Sequence, residues 1–108
     1  MDEAPEIAYD PVRSRVEIRR DGAVTGSVEF GLRADAAVLV QTSVAEADAP
    51  ALIDGALALL RARGFRIVPL CPRVRAHLLA RPEQQVGVDT RFLDAARPRP
   101  AGPLAAAG

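Results

Sequence analysis

Cys71, His77 and Glu29 are the residues best equipped to carry out a reaction. Cys71 and His77 are the only cysteine and the only histidine of a 108-residue chain, and both fall within "RIVPLCPRVRAHLLARPEQQ". Cys71 precedes Pro72, which suits the first turn of a helix, and a thiol at a helix start is well placed as a nucleophile or an acyl-thioester carrier. The same position also suits a small buried apolar residue, which free cysteine often is. Histidine moves protons at neutral pH, so His77, one and a half turns into the helix, can assist a leaving group. Beside Arg73 and Arg81 at helical spacing it reads equally as a surface residue. Glu29, on the polar face of a strand, can accept a proton from an amine or simply face solvent. Arg73, Arg75 and Arg81, with Arg61 and Arg63, form either an anion-binding surface or ordinary wet helix faces. One histidine and one cysteine do not supply the ligands zinc requires, so no metal site is expected. No Walker loop or Rossmann fingerprint is present.

The elements that must position these residues follow from hydrophobic period. In "RVEIRR", Val16 and Ile18 alternate with charges as a half-buried strand requires. Asp21-Gly22 marks a tight hairpin turn. The next run sets Val24, Gly26, Val28, Phe30 and Leu32 against Thr25, Ser27 and Glu29. After a polar bend at Arg33 to Asp35, "AAVLVQTSV" is continuously apolar enough for a central strand. A helix follows from Asp48 to Pro50, with an N-capping carboxylate and an early proline, a stripe of Leu52, Ile53, Ala56, Leu57 and Leu60, and Gly64 as its stop. "FRIVPLC" is a short strand in which Pro69 cannot donate a ladder hydrogen bond, so it lies at an edge or parts from its neighbour there. "PRVRAHLLA" is a second helix, and Val86 to Leu93 a final weak strand. The predicted fold class is α/β, a mixed sheet flanked by helices, in which the crossover helix leaves the third and fourth strands parallel.

Composition narrows the function classes. The length suits one modest core, so one domain is expected over residues 13–94, with loose ends at 1–12 and at the proline- and alanine-rich 95–108. Fourteen basic and fourteen acidic residues cancel, which removes the field that would draw the chain to nucleic acid or an anionic membrane. Phe30, Phe65, Phe92 and Tyr9 are too scattered to form a stacking platform for single strands. A single cysteine, an acidic start without a secretion pattern and no long apolar run point to a cytoplasmic protein with no membrane span.

The element order, the "DG" hairpin, the strand "VLVQTSV", the helix ending "ARGFRIVPLCP" and the following "RPE" resemble the compact single-domain proteins of the GNAT N-acetyltransferase superfamily. The resemblance covers roughly residues 15–86 and is strongest in "RIVPLCP". It implies a compact GNAT-like fold, an antiparallel meander followed by helix-strand-helix-strand, with the third strand and the strand carrying Pro69 splayed apart. The pantetheine arm of acetyl-CoA or CoA would then lie in the gap, against Val40, Gln41, Thr42, Ser43 and Val44 on one side and Pro69, Leu70 and Cys71 on the other. His77 stands where the family places a tyrosine that protonates the departing thiolate. The family's glycine- and arginine-rich loop holds the pyrophosphate on backbone amides at a helix start. Here that loop reads "VAEADAPAL", shorter than the family pattern, without glycine or arginine and with Glu46 and Asp48 at its mouth. Gln41, Arg73, Arg81 and Gln84 replace ring-bearing residues of the pattern. Two functions are expected on this basis. One is an N-acyltransferase with weakened CoA binding, in which an amine attacks the thioester, amides near Val40 to Ser43 polarise the carbonyl, and His77 or Cys71 helps the thiolate leave. The other is a non-catalytic GNAT-fold module that binds a protein, a peptide or a pantetheine-like ligand.

Overall fold

Val16 and Ile18 are fully buried, and with them the alternating run of residues 15–20 becomes the second strand of a five-stranded sheet. The computed structural model describes residues 5–93. In chain order the elements are β1 (Glu6–Asp10), β2 (Arg15–Arg20), β3 (Ala23–Arg33), β4 (Ala36–Val44), α1 (Ala49–Ala62), β5 (Arg66–Pro69) and α2 (Pro72–Ala80). Short 3-10 turns occupy Glu46–Asp48, Pro82–Gln84 and Thr90–Phe92. Spatial order follows chain order, β1-β2-β3-β4-β5. The first four strands are antiparallel and β5 runs parallel to β4, as the crossover through α1 requires. The α/β class with a mixed sheet is thus observed. No helix among the described residues is long and apolar enough to cross a membrane.

Local chemistry accounts for most joints. Asp21 and Gly22 have φ of 53° and 81°, the left-handed pair that a two-residue hairpin needs to match strand twist. Gly64, at φ 87°, ends α1 while Phe65 N–H donates to the Leu60 carbonyl at 3.1 Å. The two helices and one face of the sheet share a single core that includes Ile18, Val28, Leu39, Leu52, Leu57, Ile67, Val74 and Leu78. The other face of β2 carries Arg15, Glu17 and Arg19. Glu17 is only 1 % exposed, covered by the two arginines that grip its carboxylate at 2.7 Å each.

Three expectations change. The first twelve residues include a strand, β1, because Ile7 and Tyr9 reach the core face. Tyr9 stacks on Phe30 at 5.7 Å, and Ile7 lies against Gly55 of α1. Five residues between prolines are too few for their period to stand out. Asp48 stands at the start of α1 but does not cap it. It holds helical angles, φ −96° and ψ −7°, and its carboxylate pairs with Arg20 at 2.7 Å. Residues 86–93 form no strand. Gly87 at φ 72° breaks the run, leaving one parallel bridge between Val88 and Ile67 before the last 3-10 turn. The expected tail at 95–108 lies outside the described residues.

Candidate functional site

Pairing between β4 and β5 runs from Ala36 opposite Arg66 to Leu39 opposite Pro69 and ends there. Pro69 has no N–H to extend it, and the next two amides, of Leu70 and Cys71, both donate to the Leu39 carbonyl, at 3.0 and 2.8 Å. The chain then turns into α2 at Pro72, while β4 continues through Val40 to Val44. β5 therefore ends at Pro69, with the two following amides still bonded to β4.

A bulge decides what faces the gap. Glu29 pairs with Gln41 and Phe30 with Leu39, so Val40 is an extra residue in β4. Alternation reverses across it, and Leu39 and Thr42 both point to the helix side. The first turn of α2 covers this flank. Cys71 Sγ lies 3.2 Å from Thr42 Oγ1, both residues being buried, and Arg73 Nη1 donates to the Val44 carbonyl at 3.0 Å. Gln41 and Ser43 fall on the opposite face, exposed, with a 3.5 Å contact between their side chains. The residues expected to line one slot are thus divided. Thr42, Pro69 and Cys71 are packed together in the interior, whereas Val40, Gln41, Ser43 and Leu70 are open to solvent. Glu29 is exposed on the face away from the helices, opposite Gln41. Cys71, 2 % exposed with the Thr42 hydroxyl as its polar neighbour, has the surroundings of an interior thiol.

His77 lies elsewhere. A cleft of about 400 Å³ opens between the start of α1 and α2, lined by Glu46, Ala49, Pro50, Ile53, Arg73, Ala76 and His77. It adjoins the end of β4, since Arg73 bridges to Val44. The His77 side chain is only 9 % exposed, and its Nε2 is 2.7 Å from Asp54 Oδ1 on α1. The second oxygen of Asp54 stands 3.8 Å from Arg81 Nη1. Arg73 and His77, four residues apart, share the side of α2 that meets α1, and Arg81 follows just past the end of the helix. Asp54 was the residue that sequence reasoning missed. Its one signal is a carboxylate inside the apolar run "ALIDGALALL", at helical spacing from Pro50.

The electrostatics of the cleft are balanced. Arg73 Nη2 pairs with Glu46 Oε1 at 2.8 Å at the mouth, and Arg81 approaches Asp54 at 3.8 Å behind His77. A diphosphate would find few donors at the start of α1, because the Ala49 N–H is bonded to the Glu46 carbonyl and Pro50 has none. Of the other arginines expected to hold an anion, Arg75 has a buried Nε without a hydrogen-bond partner, whereas Arg61 and Arg63 are engaged. Arg61 donates to the Val86 carbonyl at 2.7 Å and to both oxygens of Gln84, and Arg63 lies 4.0 Å over the Tyr9 ring. No group of three or more metal-ligating side chains occurs among the described residues. Comparison with protein families, with curated proteins and with solved structures gave no match.

Proposed function

We propose that the α1–α2 cleft is the reacting site of a compact GNAT-like N-acyltransferase, with an amine as acceptor and an acyl thioester such as acetyl-CoA as donor. One observation carries this reading: His77, the one histidine of the chain, lines a cleft between α1 and α2 that adjoins the end of β4, with a carboxylate behind it. A thioester needs a nucleophile held close and a proton for the departing sulfur. Ala49, Pro50, Ile53 and Ala76 offer an apolar wall to the acyl chain, and His77 supplies the proton. With Glu46 on Arg73 and few amides free at α1, the pantetheine arm rather than the diphosphate carries the binding. The donor therefore gains little from its nucleotide.

A second reading, a non-catalytic module for a pantetheine-like or peptide ligand, draws support from the Arg73–Glu46 pair at the mouth and from Cys71 and Arg73 filling the flank of β4. Melting temperature with pantetheine, CoA and acetyl-CoA separates these possibilities when joined to an acetyl-transfer assay over a panel of amines. Ligand at a hundred times its dissociation constant stabilises the fold by about 2.7 kcal/mol, an easily read shift. The expected result is a shift with pantetheine at least as large as with CoA at equal saturation, and turnover that falls about a hundredfold in His77→Ala. Binding without turnover selects the module. No shift with any of the three at millimolar concentration rejects the acyltransferase and the pantetheine module, leaving only the peptide-binding form of the second reading.

A further inference from the structure

We propose that Asp54 fixes His77 with its proton on Nε2, so that Nδ1 is the nitrogen that accepts and returns the proton of the reaction. Asp54 Oδ1 is 2.7 Å from Nε2, and an ionised carboxylate can only accept, so the imidazole must donate from that atom. Arg81 Nη1 stands 3.8 Å from the second oxygen. A neutral ring that donates from Nε2 leaves its lone pair on Nδ1. No hydrogen bond to Nδ1 occurs among the described residues, and Nδ1 is not among their buried, unpartnered side-chain atoms. It is therefore unpartnered and not fully sealed from solvent, on a residue that lines the cleft. The charged groups around the ring are Asp54 on α1 and Arg73 and Arg81 on α2, with Glu46 across the mouth.

This assignment rests on the cleft being the reacting site, and it makes Asp54 a positioning residue. In the step it supports, the amine nitrogen bonds to the acyl carbon and the carbon–sulfur bond breaks. The proton lost by the amine passes to Nδ1 and from there to the thiolate. Nothing is oxidised or reduced, and one imidazole serves both transfers, returning to its starting state. Asp54 stabilises the imidazolium that exists between them.

With a single histidine in the chain, ¹⁵N labelling of imidazole gives one unambiguous pair of nitrogen signals. In the wild-type protein above the titration of the ring we expect Nε2 to carry an N–H protected from exchange with water, and Nδ1 to be the unprotonated nitrogen. In Asp54→Ala the protected N–H signal should vanish, with the melting temperature showing that the domain stays folded. A proton found on Nδ1, or an N–H signal equally protected in Asp54→Ala, overturns the assignment. The transfer role is read separately. Asp54→Ala should lower kcat for acetyl transfer about tenfold with KM nearly unchanged, and Asp54→Asn, whose amide oxygen still accepts from Nε2, should recover part of it. Wild-type kcat in both Asp54→Ala and His77→Ala overturns that role. Acetyl transfer absent from the wild type removes the function while leaving the Nε2–H assignment to the spectrum.

Discussion

At the scale of single residues, the chain spends its arginines on carboxylates, and these pairs set its response to acid. Asp89 is the clearest. The Arg91 guanidinium and its backbone N–H both bond to this carboxylate, and with Arg66 nearby its pKa is lowered from 3.8 to about 2. A group whose folded pKa lies below its unfolded value adds stability that is complete above the unfolded value and is lost as the folded one is crossed. Melting temperature should therefore fall between pH 3.8 and about 2, and Asp89→Asn should flatten that limb by lowering the melting temperature near neutrality while changing little near pH 2. Glu17 behaves in the same sense, held below the usual carboxylate range chiefly by its bond from Arg19. Because its arginines are themselves open to water, the pair is screened. Glu17→Ala should cost about 1 kcal/mol, read as a lower urea midpoint, by leaving Arg15 and Arg19 side by side.

Among the elements, α1 contributes most to the core, and Gly55 shows how tightly it is seated. Alanine in place of a helical glycine ordinarily stabilises by about 0.5–1 kcal/mol. Here an added Cβ would stand 2.8 Å from Ile7 Cγ1 and 3.2 Å from its Cβ, too close for rotation of the side-chain tip alone to relieve. Gly55→Ala should therefore lower the melting temperature by pushing β1 from the helix, and adding Ile7→Ala should restore part of the loss. A stabilised Gly55→Ala single mutant would show that β1 is not held against α1. Deeper in the same face, Leu57→Ala should cost about 3 kcal/mol in denaturant unfolding, as expected for a fully buried leucine.

Across the whole molecule, residues 82–93 are tied down by backbone bonds to Ile67, by Leu93 in the core and by Arg61. It reaches from α1 to the Val86 carbonyl and to Gln84, a fork that lysine cannot reproduce. Arg61→Lys should speed amide exchange over residues 84–89 while leaving α1 protected; uniform exchange across the domain would deny the latch. Much of this architecture was legible in the chain. The alternation of Val16 and Ile18, the turn at Asp21-Gly22, the stripe and stop of α1 and the proline that ends β5 are local signals, because period and backbone preference act over a few neighbours. The site was less so. Cys71 and His77 are separated by a fraction of a helix in sequence, yet one is packed on Thr42 and the other faces α1 in the cleft. The bulge at Val40, which turns Thr42 inward and Gln41 outward, depends on how β3 and β4 come into register. Asp54 gains its meaning only when α1 and α2 meet side by side and its carboxylate finds an imidazole 23 positions further along the chain. Sequence by itself determined the strands between residues 15 and 44, the short strand ending at Pro69, and both helices, in their chain order. Tertiary structure alone decided which polar groups meet, because a hydrogen bond over 2.7 Å between two helices is a property of their packing and not of either one's residues.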